Sequence, residues 1–76
     1  MKLRQPYKGH VIEAVTRELR GDLGFSSEFY VEKHDGEGIT VTHFLMPEIY
    51  QDSQSAIQAC VQAGRQKIDA GFSTGV

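Results

Sequence analysis

Apolar and polar residues alternate between Phe25 and Glu32, and a period of two is typical of a strand with one buried face. Phe29 and Val31 are expected to face the core. Tyr30 is expected to project from the opposite, outer face. The stretch therefore predicts a strand with an aromatic side chain on its exposed side.

A second alternating stretch runs from Gly38 to Met46 and ends before Pro47, which cannot donate to a strand ladder. Its odd-numbered apolar residues are expected to face the core, and its even-numbered residues are expected to face outward. The core-facing set is Ile39, Val41 and Leu45, and the outward set is Thr40, Thr42 and Phe44. The same phase places His43 on the core side.

The turn between these strands contains Asp35-Gly36, a common two-residue hairpin turn. That turn would pair Val31 with Thr40, a core residue with a polar one. Adding Glu37 to the loop pairs Val31 with Val41, because a shift of one residue moves every side chain across the sheet. We therefore expect a loop of odd length, with a glycine at positive φ.

An earlier strand is predicted from Tyr7 to Leu19, because β-branched residues are frequent there and Pro6 precedes it. Its inward face is ambiguous, since apolar residues occupy both odd and even positions. A β-bulge near Glu13 would resolve the ambiguity by shifting the side-chain phase.

One helix is predicted from about Ser53 to Ala70, with Asp52 or Ser53 capping its first turn and Gly71 ending it. One stripe recurs at the helical period and should lie across the sheet. It consists of Ile57, Cys60, Val61, Gly64 and Ile68. Gly64 costs about 1 kcal/mol of helix propensity relative to alanine, which indicates a close approach between helix and strands.

These elements predict a single α+β domain over residues 1–76, ordered from about 7 to 71 and frayed over 73–76. The expected fold is a three-stranded antiparallel sheet with one C-terminal helix on one face, resembling a truncated double-stranded-RNA-binding-like fold. Its expected core is Ile12, Phe29, Val31, Val41, Leu45, Ile57, Cys60, Val61 and Ile68. A polar row lies on the remaining helix surface, either a solvated face or a contact surface, and consists of Gln54, Gln58, Gln62 and Gln66.

Composition narrows the class of protein. The chain is 39% hydrophobic and 24% charged, as in ordinary globular domains. No export signal or membrane segment is recognisable, and one cysteine cannot form an internal disulfide, so we expect a cytoplasmic protein. Charge is uneven: residues 1–20 sum to +3 and residues 21–50 to −5, which makes the first strand and the following hairpin complementary.

No motif indicates catalysis, a metal site or a cofactor. The three histidines lack metal-ligand spacing. Cys60 and His43 could face each other, but a mid-helix cysteine among apolar residues is better explained as a small buried side chain. Glu28 and Glu32 share an open sheet face without a pocket. We therefore expect a non-enzymatic protein without a cofactor.

The leading hypothesis is a small interaction module that contacts another protein, or itself, through the open face of the sheet. Its expected contacts are Tyr30, Thr42 and Phe44. The alternative is a nucleic-acid-binding or regulatory domain led by the basic N-terminal strand, because phosphate contacts require clustered Lys and Arg. The residues of that alternative are Lys2, Arg4, Lys8 and Arg17.

Three segments carry a resemblance to known proteins: Tyr7-Lys8-Gly9, 56–60 (Ala-Ile-Gln-Ala-Cys) and 63–69 (Ala-Gly-Arg-Gln-Lys-Ile-Asp). With the predicted strands, they resemble a group of short proteobacterial proteins of unknown function. The resemblance implies a stand-alone β-β-β-α domain without an assigned activity.

Overall fold

A computed structural model describes residues 1–71 as a four-stranded antiparallel sheet and one helix. The main elements are β1 (Lys2–Tyr7), β2 (His10–Glu18), β3 (Phe25–Asp35), β4 (Gly38–Leu45) and α1 (Ser53–Asp69), with a single 3₁₀ turn at Arg20–Asp22 between β2 and β3. The strands lie side by side in sequence order. The chain is α+β with one C-terminal helix, but the expectation of three strands was wrong. The tail expected to fray, 73–76, lies outside the described residues.

The additional strand arises because the stretch predicted as one strand from Tyr7 to Leu19 begins with a hairpin turn. β1 and β2 are joined by Lys8 and Gly9, whose φ angles are 48° and 78°. Positive φ at both central residues defines the type I′ turn, whose twist matches that of antiparallel strands. Residues 2–7 therefore pair with β2 and extend the sheet by one strand.

The inward face of β2 consists of Ile12, Ala14 and Thr16, all of which are buried. The register between β2 and β3 is continuous from His10 to Glu18, so the β-bulge considered near Glu13 is absent there. Val11 and Val15 instead lie on the outer face and are only half-buried.

The hairpin between β3 and β4 has a two-residue loop, Gly36-Glu37, and not the expected odd-length loop. Asp35 pairs with Gly38, and the Oδ1 atom of Asp35 accepts a hydrogen bond from the Glu37 amide at 2.9 Å. This register places Thr42 opposite Val31 and, further along, Phe44 opposite Phe29.

The register reverses the predicted faces of β4. Phe44 lies on the helix side, where its ring stacks on Phe29 with centroids 4.9 Å apart. Val41 and Leu45, expected in the core, are exposed on the opposite face. Placing Thr42 and Phe44 on the outer face was therefore wrong.

The position of α1 explains why β4 needs no aliphatic inner face. A helix is about 10 Å wide and neighbouring strands are about 4.8 Å apart, so one helix covers about two strands. Here α1 packs on the two central strands, β2 and β3, with a smaller contact on β1. The fully buried side chains accordingly come from β2, β3 and α1, with Ile12, Phe29, Val31 and Cys60 the largest.

The ends and the buried face of the helix agree with the sequence. The Oδ1 atom of Asp52 caps the first turn by accepting a hydrogen bond from the Ser55 amide at 2.7 Å. The predicted stripe faces the sheet, with Ile57, Cys60, Val61 and Gly64 buried and Ile68 partly buried. The predicted close approach at Gly64 is confirmed, because its backbone lies against Ile12.

Candidate protein-interaction surface

The sheet face opposite the helix is uncovered along β4. There the odd-numbered residues Ile39, Val41, His43 and Leu45 lie in a row beside Tyr30 of β3. We call these five residues the β4 surface. Solvent-accessible fractions are 61% for Ile39, 53% for Val41 and 74% for Leu45. Three exposed apolar side chains along one strand are more typical of a contact site than of isolated surface residues.

His43 provides the polar part of the β4 surface. Its ring stacks on Tyr30 with centroids 4.5 Å apart, and its Nε2 atom lies 2.9 Å from the Oε2 atom of Glu28. The expectation that His43 points to the core was wrong, because the two-residue loop shifts its phase. The sheet therefore separates His43 from Cys60, and the conceivable contact between them is not formed.

On the rest of the open face, ion pairs link residues of β1, β2 and β3. The Arg4 guanidinium contacts Glu32 at 2.9 Å and Glu13 at 3.1 Å, and Arg17 lies 3.7 Å from Glu28. The hydrogen bonds from Arg4 hold the pKa of Glu32 below its usual value of 4.5. The expected complementarity between the basic first segment and the acidic hairpin is thus confirmed at the Arg4–Glu32 and Arg17–Glu28 pairs.

A second polar cluster joins the β1–β2 turn to the end of the helix. Lys8 Nζ lies 2.7 Å from Asp69 Oδ1, and the Tyr7 hydroxyl donates to the same carboxylate at 2.9 Å. The Arg65 guanidinium carbon lies 5.5 Å from the centre of the Tyr7 ring, within cation–π range. The hydrogen bonds from Lys8 and Tyr7 lower the pKa of Asp69, with Lys8 the larger cause and Tyr7 the next.

The four residues of the nucleic-acid hypothesis do not form one free basic patch. Lys2 and Arg4 lie on exposed β1, whereas Lys8 lies in the turn and Arg17 is near the end of β2. Arg4, Lys8 and Arg17 each contact a carboxylate. Their charges are therefore largely compensated within the protein.

The three residues predicted to contact a partner lie on opposite faces of the sheet. Tyr30 lies on the open face as predicted, and Thr42 and Phe44 lie on the helix side. The residues that the sequence reading missed are Ile39, Val41, His43 and Leu45. The sequence feature that could have identified them is the Asp35-Gly36-Glu37-Gly38 turn. A two-residue loop at Gly36-Glu37 places every β4 side chain on the face where the structure has it.

The two outer edges of the sheet differ in chemistry. β1 carries Lys2, Arg4 and Pro6, and such residues prevent further strand addition. β4 has the sequence Gly-Ile-Thr-Val-Thr-His-Phe-Leu, without Lys, Arg, Asp, Glu or Pro. Within residues 1–71, no strand pairs with the outer edge of β4. This edge therefore presents free backbone groups beside an apolar row.

Cys60 lacks the setting of a nucleophile. Its side chain is fully buried, its Sγ atom lies 3.6 Å from the Glu28 carbonyl oxygen, and burial raises the pKa of the thiol. Among residues 1–71, no group of three or more His, Cys, Asp or Glu side chains is placed to hold a metal ion. No helix of this part of the chain is long and apolar enough to cross a membrane.

The polar row on the helix lies in solvent, since Gln54, Gln58, Gln62 and Gln66 are all exposed. Gln58 and Gln62 also line a groove of about 270 Å³ between β1 and α1, whose apolar walls are Leu3, Ile57 and Val61. The groove exists because the helix lies over the central strands and leaves the inner face of β1 partly open.

No protein-family model matches the chain, and neither a curated protein nor a solved structure matches it.

Proposed function

We propose that this chain is a non-enzymatic protein-interaction domain that binds a protein through the β4 surface and the free edge of β4. The observation that carries the proposal is the exposure of Ile39, Val41 and Leu45 beside a strand edge with which no strand of residues 1–71 pairs. A bound strand would gain main-chain hydrogen bonds from the edge and side-chain contacts from the apolar row. We place this function in the cytoplasm, on the grounds of composition and the single cysteine.

Charge favours a protein partner over a nucleic acid. Nucleic-acid affinity depends on Lys and Arg that are free to neutralise phosphates. Here Arg4, Lys8 and Arg17 contact carboxylates, and the open face also carries Glu28 and Glu32. The β4 row, by contrast, contains no acidic or basic residue except His43.

Affinity capture with matched variants tests the proposal. Val41→Lys places a charge in the middle of the β4 surface at a position already exposed to solvent. Leu23→Lys makes the same change at an exposed apolar residue outside the sheet, with 68% of its side chain accessible. We expect wild-type protein and Leu23→Lys to retain the same protein from a cell extract, and Val41→Lys to lose it.

Two results would contradict the proposal. One is that Val41→Lys alters neither the proteins retained nor the self-association of the domain. The other is salt-sensitive retention of DNA or RNA that disappears in a Lys2→Gln/Arg4→Gln variant, which would support the basic N-terminal segment as the binding site.

A further inference from the structure

The direction of the backbone groups on β4 can be derived from one hydrogen bond. The Met46 amide donates to the Ser27 carbonyl at 3.2 Å, continuing the β3–β4 ladder past Leu45. In an antiparallel pair, the N–H and C=O of one residue point to the same side, and successive residues alternate. Even-numbered residues of β4 therefore bond to β3. The odd-numbered residues Ile39, Val41, His43 and Leu45 direct their N–H and C=O groups outward.

The odd-numbered residues thus provide two kinds of contact at once. Their backbone groups point to an outer edge that no other strand of residues 1–71 occupies, and their side chains form the exposed row of the β4 surface. The eight residues of β4 include no Lys, Arg, Asp, Glu or Pro, and their register with β3 is continuous, so this edge is open to strand addition. The inner side chains of β4 are also only partly covered, since α1 lies over β2 and β3.

We propose that the strand added at this edge is β4 of a second copy, paired antiparallel about a two-fold axis at Thr42. This inference rests on the proposed function and names its partner. The register is set by the four residues whose backbone N–H and C=O groups point away from β3. A hydrogen-bonded pair between the two copies must join one such residue to another. With Thr42 opposite Thr42, Ile39 pairs with Leu45 and Val41 with His43 of the second copy. In that register, each of the four β4 residues with outward-pointing backbone groups is hydrogen-bonded to one of the same four residues in the second copy.

The chemistry of the edge favours a second copy. Two β4 strands meet without opposing like charges, since each strand is uncharged apart from His43. Like charges directly opposite would destabilise the pairing. The two most exposed apolar side chains of the β4 surface, Ile39 and Leu45, come together across the interface in a continuous open face. Pairing also ends at two copies, because the remaining edges are the protected β1 strands with Lys2, Arg4 and Pro6.

The register makes a specific prediction for cross-linking. Thr42 and its counterpart form a non-hydrogen-bonded pair with Cα atoms about 4.5 Å apart, within the range that a disulfide spans. Thr40 is the matched control on the same strand and the same face. Thr40 would lie opposite Phe44 of the second copy. The two Thr40 Cα atoms are then four residues apart along the strand and on neighbouring strands, about 14 Å from each other, and cannot be bridged.

The experiment combines sedimentation equilibrium with disulfide formation under oxidised glutathione. We expect wild-type protein and Leu23→Lys to form a concentration-dependent dimer, and Val41→Lys to weaken it by about tenfold or more. Thr42→Cys should yield a covalent dimer. Thr40→Cys should remain uncross-linked, as should wild-type protein with its buried Cys60.

Other outcomes overturn the inference in distinguishable ways. Equal cross-linking of Thr40→Cys and Thr42→Cys, or a dimer that Val41→Lys leaves intact, excludes this pairing. If the protein is a monomer at every concentration, a second copy is excluded as the partner bound at the β4 edge. In that case, loss of a captured protein by Val41→Lys would leave the proposed function standing with a different protein partner.

Discussion

The backbone of Gly64 lies against the side chain of Ile12. A Cβ atom placed on Gly64 would lie 2.8 Å from Cγ2 and 3.0 Å from Cδ1 of Ile12, closer than side-chain atoms normally approach. Ile12 is fully buried in β2, at the centre of the sheet. The helix therefore reaches its distance from the sheet only because position 64 has no side chain.

Gly64→Ala should lower the free energy of unfolding, although alanine is the better helix former. Overpacking a core costs about 1–3 kcal/mol, against a gain of about 1 kcal/mol in helix propensity. Urea unfolding followed by circular dichroism measures the difference.

An Ile12→Ala background provides the control for this prediction. There the added methyl group enters the space that the isoleucine vacates, so Gly64→Ala should become neutral or stabilising. An equal loss of stability in both backgrounds would mean that the contact between Ile12 and Gly64 does not determine the helix position.

Phe44→Ala and Val41→Ala distinguish the observed β3–β4 register from the alternative with an odd-length loop. Phe44 stacks on buried Phe29, so its truncation should cost about 2 kcal/mol, less than the 3–5 kcal/mol typical of a fully buried phenylalanine. Val41 faces solvent, so Val41→Ala should change the free energy of unfolding by less than about 0.5 kcal/mol. Chemical denaturation at low protein concentration is the measurement. The opposite ranking would restore the register in which Val41 is buried.

Arg4→Met should raise the pKa of Glu32 towards its usual value of 4.5, because the Arg4 hydrogen bonds are the main cause of its lowering. The pH titration of the Glu32 carboxyl carbon in NMR spectra reports this pKa directly. Arg17→Met is the control, since Arg17 contacts Glu28 instead. If Glu32 titrates identically in wild-type protein and Arg4→Met, the ion pair across β1, β2 and β3 does not persist in solution.

The contact of Lys8 and Tyr7 with Asp69 should make stability depend on acidic pH. The pKa of Asp69 is lowered from 3.8 in the folded state, so its stabilising effect is present above that value and is lost as the pH falls through the lower one. Asp69→Asn should therefore show a smaller decrease in melting temperature than wild-type protein between about pH 5 and about pH 2. Glu48→Gln, which removes an equal charge before α1, should behave like wild-type protein. Parallel curves for wild-type protein and Asp69→Asn would contradict the prediction.

The helix could be read from the sequence because its signals are local. The Asp52 cap, the apolar stripe and Gly71 lie within one continuous segment, and each acts on residues a few positions away. The close approach at Gly64 was also predictable from the sequence. Glycine in the middle of a helix lowers helix propensity, and a close tertiary contact at that position accounts for its presence there.

β1 escaped prediction because its polar and basic residues do not alternate like those of a half-buried strand. Residues 2–7 form a strand through pairing with β2, which supplies hydrogen bonds regardless of side-chain pattern. The turn at Lys8 and Gly9 requires positive φ at both residues. Glycine adopts such a φ readily but lysine does not, so the sequence signal for this turn is weak.

Local patterns in the sequence are enough to predict the α+β class, the helix and its buried stripe, and the strand character of β2, β3 and β4. The covered face of β4 follows only from the assembled sheet and helix. Alternation shows that a strand has two different faces, but the choice between them depends on loop register and on where the helix lies. Here the Gly36-Glu37 loop places the aliphatic row of β4 on the face opposite the helix. The inner face of β4 needs no such row, because one helix is only about two strands wide and covers β2 and β3. The aliphatic row therefore faces solvent as the surface of the proposed interaction.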